Sequence, residues 1–212
     1  MDKRNNKRKN PPQKTEDNAV ILDYLSLGYV QSDMSKFKGK AIAQAIGTDH
    51  FTLLELAPKN GVDLEIQDTV YIGKGKRDKI YRVLGKLDFE NLTATSRIEL
   101  EYAIKDIVIS REAEFVEFFN NAGPVNTRLH QLELIPGIGK KYMWEIIEER
   151  EKKPFESFEE ISERVPSLSD PVGMIVNRVK QELDTTTVKK GKQKYYLFNP
   201  IPRSALNRNK RR

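Results

Sequence analysis

The stretch Leu132-Glu133-Leu134-Ile135-Pro136-Gly137-Ile138-Gly139-Lys140-Lys141 has the residue types and spacing to hold an anion. Pro136 fixes its own φ and offers no amide donor, so it ends an incoming helix. Gly137 and Gly139 lack a β-carbon, which frees the turn to take unusual φ/ψ and lets a phosphate come close. Ile138 between them is an apolar plug. After Gly139 the pattern re-enters a helix, whose first amides have no intrahelical partner. Those amides and the helix dipole suit a phosphate, and Lys140 and Lys141 add positive charge at the same point.

Two other basic stretches fit the same chemistry. Gly73-Lys74-Gly75-Lys76-Arg77-Asp78-Lys79 places Lys74, Lys76, Arg77 and Lys79 among glycines. It reads either as a flexible loop lying along a phosphate backbone, with Tyr71 or Tyr81 stacking a base, or as a solvated hairpin tip. Lys189, Lys190 and Lys192 precede Tyr195-Tyr196-Leu197-Phe198, interleaving bases with aromatics. The lysines suit phosphate contact, and the aromatics suit a terminal strand at 194–198 tucked onto a sheet.

Catalytic chemistry finds no comparable footing. The chain has no cysteine and two histidines, His50 and His130. Thiol catalysis, disulfides and thiolate metal sites are therefore excluded, and a histidine zinc site has too few ligands. No paired carboxylates or nucleophile–base set stands out, and the Gly-x-x-x-x-Gly-Lys-Ser/Thr spacing is absent. The expectation is a protein that is not an enzyme, with no catalytic residues, metal or cofactor.

The elements that must position these residues follow from pattern. Hydrophobic residues make up 38% of the 212 and charged residues 32%, a composition of modest cores and much solvated surface. The net charge of +6 is uneven: residues 185–212 hold nine Lys or Arg and no acid, so the basic character sits in the tails. Basic tails favour a polyanion without sequence choice. No apolar run could span a membrane, and Met1 to Lys9 has no apolar centre of a signal peptide; a cytoplasmic location is the expectation.

Residues 1–17 read as a disordered basic arm. From 18 to 92, short apolar runs alternate with turns. Strands are expected at Ala19–Leu25, Lys40–Ile46 (whose alanines leave a helix open), Phe51–Leu56, Asp68–Ile72 and Lys79–Leu84. Five such strands suggest a small closed or nearly closed sheet. Asp68-Thr69-Val70-Tyr71-Ile72 resembles the strand entry of OB-type barrels, with Gln67 where Gly is usual. Residues 93–123 read as an acidic helical linker, capped by Thr93 or Thr95 and stopped by Gly123-Pro124. Its apolar set includes Ile98, Tyr102, Ile104 to Ile109, Phe115, Phe118 and Phe119.

Residues 124–184 read as an all-helical module. Thr127 is expected to cap the helix leading into the turn. After the turn, Met143, Ile146 and Ile147 form an apolar face, and Trp144 lies off it, either packed against the barrel or near a ligand. Ser157 and Glu160 form a capping box. Val165-Pro166-Ser167-Leu168-Ser169-Asp170 then mirrors Ile135-Pro136-Gly137-Ile138-Gly139 with serines for glycines, a second turn with a structural role. This module holds nine bases and twelve acids, a balance that also fits protein contact.

Leu132 to Ile147 resembles the helix-hairpin-helix motif, with Met143 where a small residue is usual. That resemblance implies a grip on nucleic-acid backbone through main-chain amides. More widely, residues 18–198 resemble an archaeal family of unassigned function that joins an OB-like barrel to tandem helix-hairpin-helix motifs and carries a nucleotide- or RNA-binding label. The likeness rests on His50-Phe51-Thr52-Leu53-Leu54-Glu55, the stretch from Tyr71 to Lys79, Thr127-Arg128-Leu129-His130-Gln131 with the hairpin, and Lys153-Pro154-Phe155-Glu156-Ser157-Phe158.

The fold expected is α+β and multidomain: a small OB-like β-barrel followed by an all-α tandem helix-hairpin-helix module and, from 185, a basic C-terminal tail. The function expected is non-enzymatic nucleic-acid binding, RNA before DNA. The contacts are Gly137, Ile138, Gly139, Lys140 and Lys141, the loop cations, and the C-terminal lysines. The alternative is a protein-interaction adaptor, for example one associated with a ribosome or other complex.

Overall fold

The computed structural model describes residues 15–29, 39–184 and 195–199. Five strands form one antiparallel sheet: β1 (Asn18–Leu25), β2 (Ile42–Gly47), β3 (Leu53–Pro58), β4 (Thr69–Tyr71) and β5 (Ile80–Lys86), in the order β4-β1-β2-β3-β5. The alanines of β2 do not make it a helix. Every residue of β2 is buried, because both faces of the sheet are covered. One face gathers Ala19, Ile21, Ala43, Ala45, Leu54, Leu56, Val70 and Ile80 into a cluster of the sheet's own side chains. The other turns Val20, Leu22, Ile46 and Leu53 toward the helices.

Of the closed or nearly closed sheet that the strand count suggests, the structure makes an open, curled form. β4 and β5 lie at opposite edges, so the sheet is a curled half-barrel. β4 runs antiparallel to β1, and β5 antiparallel to β3, so β4 and β5 point the same way and no hairpin can join them. Residues 73–79 are therefore a crossover and not a hairpin tip. Lys79 ties the two edges: its Nζ meets Asp68 Oδ2 at 2.5 Å, and its carbonyl accepts from the amide of Lys59 at 2.9 Å. Gln67, which stands where glycine is usual, takes φ +69°.

Residues 16 and 17, expected in a disordered arm, belong to the fold. The Glu16 carboxylate accepts the amides of Asp49, His50 and Thr52 at 2.9–3.0 Å, organising the β2–β3 turn in which Phe51 takes φ +53°. The Asp17 carbonyl accepts the amides of Ile72 and Gly73.

Thr93 caps α1 (Ala94–Ser110) through the amide of Ser96. Leu100, Ala103, Ile104, Ile107 and Val108 make its buried face, between the sheet and α5. Ile98, Tyr102 and Ile109, though part of the apolar set of the linker, point away and are exposed. The chain bends at Arg111 into α2 (Glu112–Asn121). After Gly123 no helix begins at Thr127. Pro124–Asn126 (β6) and Leu129–His130 (β7) pair as a small ribbon, followed by a single 3-10 turn at Leu132–Leu134. Local bonds win here over a helix: the Asn126 side chain accepts the Arg128 amide, and Glu133 accepts the amide of His130.

Three helices follow among the described residues, α3 (Lys140–Lys152), α4 (Phe158–Arg164) and α5 (Pro171–Leu183). One apolar cluster runs from the outer face of the sheet through α1 and α2 to Ile135, Ile138, Ile146, Ile161, Leu168 and Ile175. Residues 195–196 are irregular and 197–199 form bends, not the expected strand, and residue 194 lies outside the described residues. Phe198 packs on α2, between Phe115 and Phe118 at 5.3 and 5.2 Å.

Candidate nucleic-acid interface

The Pro-Gly turn lies at the surface. Ile135 and Ile138 are buried on either side of it, and the Ile138 amide donates to the Ile135 carbonyl at 3.1 Å. Gly137 takes φ +92°, a conformation that requires glycine in a turn with Pro before it. Gly139 is different. Its φ of −88° and ψ of 179° suit any residue, and a β-carbon there would meet nothing within 4 Å. Neither strain nor packing accounts for that glycine; its effect is to leave the start of α3 uncovered.

No side chain caps α3. The Met143 amide is the first to find an intrahelical acceptor, the Gly139 carbonyl at 2.9 Å. Gly137, Gly139, Lys140 and Lys141 are all exposed. An open depression of about 450 Å³ beside them is lined by Glu133, Leu134, Ile135, Pro136 and Gln181 along with the turn itself. The Glu133 carboxylate is turned to the His130 amide, 2.9 Å away. Lys140 has no ion pair among the described residues, and Lys141 has a loose one with Glu145 at 3.8 Å.

The second turn repeats the first with two differences. Val165 and Leu168 are buried, and the Leu168 amide donates to the Val165 carbonyl at 2.8 Å. Ser167, in the place of Gly137, is outside the left-handed region. Asp170, capping α5, puts its own carboxylate on the Gly173 amide at 2.8 Å. The second helix start is thus occupied from within.

The basic crossover is built from the other side of the sheet. Ile72 and Ile80, which bound it, pack in the cluster of the sheet's inner face, whereas Ile135 and Ile138 pack in the helical cluster. The two candidate stretches therefore stand on separate foundations. Within the crossover, Lys74 and Lys76 are exposed. Arg77 Nε donates to the Gly73 carbonyl at 2.9 Å. Lys79 is neutralised by Asp68, and its ammonium group holds the Asp68 carboxyl below the usual carboxylate range. Tyr71 is committed: its hydroxyl accepts the Gly75 amide at 3.0 Å. Tyr81, 70% exposed, is free to stack. Lys189, Lys190 and Lys192 lie outside the described residues.

Trp144 is the residue whose place the sequence left open, between packing against the barrel and lying near a ligand. It is 58% exposed and belongs to neither buried cluster. The signal was its helical phase, which it shares with Lys140 and not with the buried Met143 and Ile146. Among the described residues no His, Asp and Glu side chains gather into a metal-ligating group of three or more. No described helix is long and apolar enough to cross a membrane.

Comparison with known proteins sets this architecture among relatives. The chain is 47% identical over 191 residues to Uncharacterized protein MJ0038 of Methanocaldococcus jannaschii, covering 90% of this chain and 83% of that one. The crystal structure of Af1531 from Archaeoglobus fulgidus superposes with a TM-score of 0.77 at 41% identity, over 87% of this chain and all of that one. Residues 15–200 match the family described as "Protein of unknown function (DUF655)", and the chain belongs to that family.

Proposed function

We propose that this protein binds nucleic acid by its sugar-phosphate backbone without catalysing a reaction. The observation that carries the reading is the bare, exposed start of α3 at Gly139, Lys140 and Lys141. Unpartnered amides and the helix dipole attract a phosphate there, and the two ammonium groups add to that attraction. On this reading the half-barrel is OB-like, and the two Pro-centred turns are tandem helix-hairpin-helix motifs, the first binding and the second structural. The first of them has shortened its leading helix to a 3-10 turn. RNA is preferred to DNA because the exposed Tyr81, which follows the basic crossover in sequence, suits unpaired bases.

Fluorescence anisotropy with single-stranded RNA and DNA across a salt series tests this. Replacing Lys74, Lys76 and Lys140 with alanine should flatten the salt slope by about 0.7 for each phosphate no longer neutralised. Identical slopes in all variants would leave the tails alone as the binding element and refute the assignment.

The second reading is a protein-interaction adaptor. It draws on the twelve acids against nine bases in residues 124–184 and on Glu145, Glu148 and Glu149 along α3. No binding of either nucleic acid, together with recovery of a basic protein in a native complex, would favour it.

A further inference from the structure

We infer that Trp144 is a stacking platform for an unpaired nucleobase, and that it makes the α3 site select single strands over duplex; this rests on the nucleic-acid reading above. Trp144 is the one tryptophan in the chain. It is 58% exposed and has no ring partner or indole hydrogen bond among the described residues. Tryptophan is the side chain with most apolar surface to hide, and one left open beside two lysines is suited to a planar, polar-edged partner.

Its place on α3 is specific. Lys140 and Lys141 lie four and three residues before it, so all three share the outward side of the helix while Met143 and Ile146 face the core. Helical side chains slant toward the N-terminus, a direction that would carry the indole toward the turn with the uncapped amides. A strand whose phosphate sits at Gly139 and Lys140 would bring a neighbouring base to that ring. A paired base has both faces covered by its neighbours in the stack and cannot use it. An unpaired base can, whatever its identity, because every base has a π face. The result is a site that reads strandedness and not sequence.

The sole tryptophan makes the test direct. Unlabelled oligo(A) RNA is titrated into the full chain while Trp144 emission is followed. Anisotropy is measured in parallel with a labelled oligo(A) RNA and a labelled RNA duplex, for wild type, Trp144→Ala, Trp144→Phe and Gly139→Asp. The expected result is saturable quenching by the single strand at the same midpoint as the anisotropy, and none by the duplex. Trp144→Ala should weaken single-strand binding about ten-fold, leave duplex affinity and the salt slope unchanged, and be largely rescued by Trp144→Phe. Single-strand binding with undisturbed emission, or an alanine variant that binds as wild type, overturns the stacking role and leaves the backbone reading standing. Absence of any binding by wild type overturns both. A uniform loss for single strand and duplex in Trp144→Ala overturns the selectivity.

Discussion

Asp170 Oδ1 accepts the Gly173 amide at 2.8 Å, whereas Gly139, at the corresponding step before α3, has no side chain to offer. Two turns of the same build thus differ in whether the helix start is filled. Gly139→Asp should fill the first by the same means. Since Gly139 has ordinary φ/ψ and open space around its missing β-carbon, the substitution should leave stability unchanged or raised by about a few tenths of a kcal/mol. Nucleic-acid affinity should fall roughly ten-fold or more, as a carboxylate replaces the phosphate at the amides. Gly139→Ala keeps the amides open and should bind as wild type. Anisotropy alongside urea unfolding separates these outcomes; equal binding by the aspartate variant would exclude the amides as the point of attachment.

Gly137 behaves oppositely. At φ +92° any side chain is strained, and a β-carbon would sit 3.3 Å from Met174 Cε. Gly137→Ala should cost about 1–3 kcal/mol in urea unfolding, in contrast to Gly139→Ala. A neutral effect would mean that the turn relaxes freely, as the serine-bearing second turn allows.

The described C-terminal segment hangs on a buried ion pair. Arg178 Nε lies 2.8 Å from Glu182 Oε1, and the same carboxylate accepts the amides of Leu197, Phe198 and Asn199. Arg178 also donates to the carbonyls of Leu134 and Tyr195, linking this segment to the approach to the hairpin. Glu182→Ala strands a buried guanidinium and should cost about 3–5 kcal/mol. Amide exchange should show lost protection at 197–199 before global unfolding. Replacing both Arg178 and Glu182 with methionine and leucine should recover much of the stability, though not the protection.

Much of this was legible in the residues. The five strands follow their apolar runs and turn residues. The caps at Thr93 and Ser157 are short-range bonds, which a sequence states openly. What was not legible depends on distant partners. Glu16 looks like tail until Asp49, His50 and Thr52 bring it three amides. A five-strand count does not reveal that β4 and β5 take opposite edges. The missing helix before the Pro-Gly turn reflects side-chain bonds from Asn126 and Glu133 that outcompete helical ones over a few residues. At the candidate site the turn and its lysines were evident, while Trp144 was left between the barrel and a ligand although its phase pointed outward.

A pH dependence comes from His130. Its Nδ1 accepts the Leu132 amide at 3.2 Å, a role that the neutral ring fills. Burial first, and then the charge of Arg150, push its pKa below the usual 6.5, with Glu133 opposing. The unfolded chain therefore binds this proton more readily than the folded one, and stability rises with pH across the interval between the two values. The contribution is complete above 6.5 and is lost as the pH falls below it. The urea midpoint of wild type should drop between about pH 7.5 and about pH 5.5. His130→Asn, whose Oδ1 can accept the same amide without titrating, should stay flat over that interval. The lowered carboxylates Glu149 and Glu160 act at lower pH and do not confuse the comparison. Equal drops in the two proteins would place the titrating group elsewhere.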